Sequence, residues 1–486
     1  MADDRKTEFE LAVVKPLYAQ ILAAALLALA VPSPVNGQLS PTEKAAIGFT
    51  ELQTRLGPAM PTGESVSVTM AEAPQSGSYR VNTADAAFVG KDFVFPSGGN
   101  TTSSSHATTV GRYFFGTGSL APEIGLATNG QSIANYEANN WIGSGYLHLG
   151  TASELPVVET RDISNHSWIG STGNSTIDTE ALRRMDFAIQ RDDFVGTFGL
   201  NNGSNTAVPN LMAATYNGIV VGLSNGEHSR NGTLVDGIGR TKPDIVVPTS
   251  ATSWAAPTVG SAAALLIDTA RAQGMLNGER SVAVKSLLLG GASKSGPAVS
   301  FSWSNNSTNP LNSVYGAGQL NIANSYDILM AGESGASNSS DVPATAWDVG
   351  STNSSNPQRY FFNLDAVAEF TAALTWNREV VATDTNPLPF VTSYSFTSSL
   401  ANLDLRLYEA SGFSTGALVA ASLSTVDSVE LLYQSTLAAG RYMLEVSSPT
   451  DGVTYGLSWQ SIPEPAGFLL VALGWGAVMV SRRRRN

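Results

Sequence analysis

Residues 251–266, ATSWAAPTVGSAAALL, place a serine just ahead of a run of small residues. Ala255, Ala256, Gly260, Ala262, Ala263 and Ala264 let a helix begun here pack closely inside a core. Ser253 would then lie at the helix N-terminus, where free backbone N–H groups and the dipole favour developing negative charge. A serine in that place can also simply cap the helix, and Thr252 could do the same.

The segments around this stretch alternate in period. Val66-Ser67-Val68-Thr69-Met70 alternates like a strand, and Phe194-Val195 and Ile219-Val220-Val221 are further strand candidates. Residues 176–191 (TIDTEALRRMDFAIQR) carry helical apolar spacing, with Asp178 near the start. Strand and helix in alternation over 63–330 predict an α/β fold, a parallel sheet flanked by helices. Residues 331–343 (AGESGASNSSDVP) are small and polar and read as a linker. Beyond it come short strand candidates at 360–362, 372–376, 403–408 and 442–446, punctuated by Gly412, Gly440 and Gly452. This texture predicts a separate all-β sandwich over 344–460.

Bulk composition narrows the function classes. The 486 residues carry a net charge of −13, which repels phosphate backbones and argues against a nucleic-acid partner. No cysteine is present, so disulfides, thiolate nucleophiles and cysteine zinc sites are excluded. Only four histidines occur, His106, His148, His166 and His228, so a histidine metal site is improbable and any histidine base has a short list.

The serine segment resembles the nucleophile motif of the subtilisin-like serine proteases, Gly-Thr-Ser-x-Ala-x-Pro followed by a helix. Thr252, Ser253, Ala255 and Pro257 match it, with Ala251 in place of the first glycine. Residues 242–248 (KPDIVVP) resemble the stretch that leads into that motif. Residues 106–111 (HATTVG) resemble the family's His-Gly-Thr-x-Val-Ala through His106, Thr108 and Val110. Gly118-Ser119-Leu120-Ala121-Pro122 resembles the Gly-Val-Ala-Pro segment after the family's histidine helix. The resemblance implies Ser253 as nucleophile and His106 as general base. In residues 199–203 (GLNNG) it implies Asn201 as oxyanion donor, with Asn202 as the alternative one residue on. Ser167-Trp168-Ile169-Gly170 resembles the edge strand that pairs with substrate, which makes Ser167, Trp168 and Gly170 substrate-binding candidates. At the end of the first strand the family has an aspartate; alignment puts Glu72 there, with Asp85 and Asp92 as alternatives. No cofactor is implied.

The expected activity is therefore peptide-bond hydrolysis by a serine endopeptidase acting on protein or peptide substrates. Ala73, Ala107 and Ala251 replace motif residues, and Arg112 stands where the family is small. These changes keep open a catalytically inactive surface or matrix protein on the same scaffold. Residues 341–460 resemble the pre-peptidase C-terminal β-sandwich found beside secreted proteases, through Leu374-Thr375-Trp376, residues 402–408 (NLDLRLY), 437–442 (LAAGRY) and 455–459 (YGLSW).

Both ends read as addresses. Residues 17–31 (LYAQILAAALLALAV), preceded by Lys15, read as a signal peptide over 1–37, cut near Gly37. Residues 38–62 are then a short connector. Pro463-Glu464-Pro465, the apolar run 466–481 and Arg482 to Arg485 resemble the PEP-CTERM sorting signal of Gram-negative bacteria. That resemblance implies an exosortase partner, a C-terminal transmembrane helix, and an exported protein held at the cell envelope, surface or matrix.

Overall fold

The computed structural model describes residues 37–99, 101–294, 309–386 and 392–463. The expected signal peptide and sorting signal, with its membrane helix, lie outside the described residues apart from Gly37 and Pro463. Among the described residues no helix is long and apolar enough to cross a membrane.

A seven-stranded parallel sheet forms the first half. Its strands are β1 (Val68–Glu72), β2 (Phe93–Val94), β3 (Ile133–Glu137), β4 (Ile163–His166), β5 (Val195–Gly199), β6 (Ile219–Leu223) and β9 (Ile245–Val247). The small ribbon of β7 (Asn231–Gly232) and β8 (Thr241–Lys242) stands outside it. The order is β2-β3-β1-β4-β5-β6-β9. All its pairings are parallel, so the strands are covered on both faces, and β1, β5, β6 and β9 are buried along their whole length. The chain leaves β1 towards β3 on one side and returns to β4 on the other. A crevice opens at such a reversal, outside the carboxyl ends of the strands. Glu72, Ser167 and the 199–203 segment all lie at that edge.

The Thr252–Ala272 helix runs through the core, with 17 of its 21 residues buried. Its small residues permit close approach: a Cβ on Gly260 would come within 2.8 Å of the Phe114 ring. The expected helix over 176–191 forms as Ser175–Asp192, started by the Asn174 side chain accepting from Thr176 N–H.

Residues 38–62 are more than a connector. Pro41–Ala46 and Phe49–Leu56 are helices, and Ile47, Phe49 and Leu52 enter the main core. Ser40 and Glu43 form a reciprocal capping box at the first of them.

The second half is a sandwich of β10 (Ala346–Ser351), β11 (Gln358–Leu364), β12 (Ala368–Trp376), β15 (Asp404–Ser411), β16 (Ser414–Ser422), β17 (Val429–Leu437), β18 (Gly440–Ser447) and β19 (Thr454–Pro463). Two antiparallel sheets result, β10-β19-β12-β17 and β11-β18-β15-β16, with a separate hairpin of β13 (Glu379–Asp384) and β14 (Tyr394–Ser399). Tyr360, Phe362, Phe370, Leu405, Leu444 and Trp459 fill the interior between the sheets.

The sandwich does not hang on a free linker. Ser334 and Val342 donate backbone bonds to Trp347 and Phe361, at 2.7 and 2.8 Å, so the small polar run is pinned to the sandwich by isolated bridges at both ends. The outer face of the β12–β19 sheet then seats on the Ser281–Gly291 helix. Thr375 and Ser458 donate their hydroxyls to the helix carbonyls of Val282 and Ser286, each at 2.7 Å. A Cβ on Gly456 would sit 2.3 Å from the Val282 oxygen, so glycine permits this contact. Trp347, Ala373, Val429 and Leu431 share one continuous core with Leu287 and Leu288 of the helix. Arg378 reaches across to Asp236 at 2.5 Å and Asp186 at 2.6 Å, both buried.

Candidate active site

Glu72 ends β1 fully buried, and His106 occupies the first turn of the Ser105–Phe114 helix. Ser104 caps that helix by accepting from Ala107 N–H at 3.1 Å. Gln75 holds the same turn, its side-chain oxygen accepting from the His106 N–H at 3.1 Å and the Ser105 hydroxyl at 2.9 Å. The turn aims the imidazole at the strand end, where Nδ1 meets Glu72 Oε2 at 2.8 Å. The Glu72 carboxyl is pushed up from its usual range by burial, and the hydrogen bond from His106 pulls it back down. Its other oxygen, Oε1, has no partner among the described residues.

Asp85 is engaged elsewhere, binding Arg112 at 2.5 Å and capping a short turn at Ala87. Asp92 is exposed, and the His106 ring bonds Glu72 rather than it.

The remaining histidines are built into the body. His166 is fully buried against Trp141, Trp168 and Phe198, shares a 2.9 Å hydrogen bond with Ser164, and has its pKa pushed down to about 3 by burial. Nδ1 of His228 accepts from Leu223 N–H at 2.9 Å while Nε2 faces the Val314 carbonyl, and burial lowers its pKa to about 4. His148 pairs with Glu154. His106 alone is both partly exposed and held by a buried carboxylate.

Ser253 lies in the first turn of the core helix, yet neither it nor Thr252 caps it. The N-cap is Ala251, with no side-chain cap bond. Thr252 gives its hydroxyl to the Leu200 carbonyl at 2.5 Å instead. Pro257 stands four residues after the serine and has no N–H, so the Ser253 carbonyl loses its intrahelical partner. Ser167 supplies the replacement, donating its hydroxyl to that carbonyl at 3.0 Å. The Ser253 hydroxyl faces the Ser167 carbonyl at 3.5 Å, a long contact. Trp254, the next residue, packs against the His106 ring at 5.3 Å between centroids and stacks on Tyr113 at 5.7 Å. The His106 ring thus touches the residue that follows Ser253 on the helix. Among the described residues no hydrogen bond joins the Ser253 and His106 side chains; in unliganded enzymes such bonds are often long and tighten with substrate.

The paired asparagines separate. Asn201 is tied by its backbone to Ser229, accepting from its N–H at 2.8 Å and donating to its hydroxyl at 3.1 Å. Asn202, the alternative one residue on, sends its side chain to the serine helix. Its Oδ1 accepts from Thr252 N–H at 3.0 Å and from the Thr252 hydroxyl at 3.2 Å. That leaves its amide NH2, a pure donor, beside the serine turn. Asn202→Ala is expected to lower kcat by about 10²–10³-fold in peptide-hydrolysis kinetics; an equal loss in Asn201→Ala, at a residue that also lines the cleft, would move the donor role to it.

Ser167, Trp168 and Ile169 run on past β4 as irregular chain rather than as a regular edge strand. Together with Leu200, Asn201, Asn202 and Ser253 they line a cleft of about 510 Å³. Gly170 is not among the residues that line this cleft, and its carbonyl accepts from Leu211 N–H at 3.0 Å.

No family model and no curated protein matches the chain. Among solved structures, the patellamide maturation protease is 17% identical, covering 55% of this chain and 97% of its own, with a TM-score of 0.35. A lanthipeptide protease is 14% identical, over 61% of this chain and 98% of its own, with a TM-score of 0.40. The pre-peptidase C-terminal domain of a Bacillus anthracis collagenase is 14% identical, over 25% of this chain and 94% of its own, with a TM-score of 0.17.

Proposed function

We propose that the chain is a serine endopeptidase of the subtilisin-like kind. Ser253 attacks the scissile carbonyl, His106 takes its proton, and Glu72 orients the imidazole and balances the imidazolium. The amide of Asn202 and backbone N–H groups at the start of the serine helix receive the oxyanion. The observation that carries this reading is the 2.8 Å bond between His106 Nδ1 and buried Glu72, with the imidazole packed on Trp254, the residue after Ser253. The apolar ends and the closing arginines extend it to an exported enzyme, retained at the envelope by a PEP-CTERM tail that an exosortase handles.

Fluorophosphonate labelling of the purified full chain tests the reading, because only an activated serine reacts. Labelling of the native chain that vanishes in Ser253→Ala is the expected result. A folded native chain that takes no label would favour the non-catalytic scaffold, for which the inward-facing Ser253 hydroxyl is the supporting observation.

A further inference from the structure

The cleft beside Ser253 carries a single charge among its described lining residues. Its walls are apolar where Trp168, Leu200 and Leu223 face it, and its other polar groups are neutral. Glu227, on the loop after β6, is the one ionisable side chain among the described residues that line it. The backbone fixes this residue from both sides: its carbonyl accepts from Gly203 N–H at 3.0 Å, and its N–H donates to Asn225 Oδ1 at 2.9 Å. Among the described residues the carboxylate receives only one side-chain hydrogen bond, from the Ser204 hydroxyl at 3.3 Å, and no cation pairs with it within ion-pair distance. Glu227 is exposed, so its carboxylate stands where the cleft meets solvent, and with two oxygens that accept about four such bonds most of its capacity stays open. Lys and Arg carry an apolar stem and a charged end, which suits apolar walls closed by an acid.

Resting on the protease reading, we propose that Glu227 makes the enzyme selective for a basic residue, arginine or lysine, on the acyl side of the bond it cleaves. The stem lies along Trp168 and Leu223, and the cation meets Glu227. The net charge of −13 adds a general attraction for cationic peptides but cannot distinguish one position in them. Glu227 supplies that distinction.

Two peptidyl phosphonates, identical except for arginine or leucine at the position that occupies the cleft, test this on the full chain. The arginine probe is expected to inactivate the native chain on the order of tenfold faster or more, and E227Q to remove most of that preference. Faster reaction of the leucine probe, or an unchanged preference in E227Q, overturns the proposal. If neither probe reacts with the folded chain, the catalytic reading fails by itself, and benzamidine binding measured by calorimetry judges the cleft alone. Binding weakened tenfold or more in E227Q upholds the cation site; equal binding in both chains ends it.

Discussion

Glu72→Gln is expected to lower kcat for peptide hydrolysis by about four orders of magnitude while leaving the chain as stable as before or more so at pH 8. The loss follows from the hydrogen bond to His106. A carboxylate can only accept, so it fixes the imidazole with its proton on Nδ1 and leaves the far nitrogen free to take the serine proton. An amide can turn its NH2 towards the ring and select the opposite tautomer, and it carries no charge to balance the imidazolium. The stability half follows from burial. The folded Glu72 carboxyl is raised above its ordinary range by desolvation, more than the His106 bond lowers it. A group raised in the folded state contributes stability that is full below its unfolded pKa and fades as pH rises through the folded value. Glutamine removes the buried charge, so the variant's advantage over the native chain should be greatest above neutrality and vanish near pH 4. Activity assays with thermal melts at pH 4 and pH 8 read both halves. Full activity in Glu72→Gln would remove the residue from the site.

Arg378→Met is expected to cost about 3–5 kcal/mol in unfolding free energy, the largest effect we anticipate away from the site. The guanidinium bonds Asp186 and Asp236 and lies over the Tyr216 ring, with its centre 4.2 Å from the ring centroid. Its backbone N–H donates to Asn217 at 2.7 Å, which holds the arginine in register with the parallel-sheet half. Methionine fills comparable space but leaves two buried carboxylates short of their cation. Asp186 keeps the N–H groups of Tyr216 and Asn217 and Asp236 keeps Arg183, so the loss is partial rather than total. Because the main core extends into the sandwich through Trp347, Ala373, Val429 and Leu431, urea unfolding should show a single transition in native and variant chains, moved to lower midpoint in the variant. Two separated transitions, or a change below about 1 kcal/mol, would mean that the halves are stabilised independently.

The site was legible where local pattern and motif coincide. A serine before a run of small residues reads as a tightly packed helix start, and the alternation of residues 66–70 set the strand whose end presents Glu72. Asn201 and Asn202 were not separable in that way. Both come after the same strand and precede the same glycine, and only the path of the loop past Thr252 decides which side chain reaches the helix. The helices of residues 41–56 had a usable signal: Ser40 followed by Pro41 and Glu43 is a capping-box pattern. The docking of the sandwich had none. Thr375, Ser428 and Ser458 look like ordinary strand hydroxyls until a helix carbonyl or the Tyr216 carbonyl is opposite them. Glu227 likewise gains its meaning from the loop that carries it to the cleft.

The hydroxyl of Ser167 and the carbonyl of Ser253 form a clasp between two parts of the chain 86 positions apart. One half of the clasp borders the cleft; the other half is the backbone of Ser253, the proposed nucleophile. A ligand that took the Ser167 hydroxyl for itself would leave the Ser253 carbonyl without its hydrogen bond, because Pro257 cannot replace it. The floor of the cleft and the first turn of the core helix thus share one hydrogen bond, and neither can be rearranged without the other.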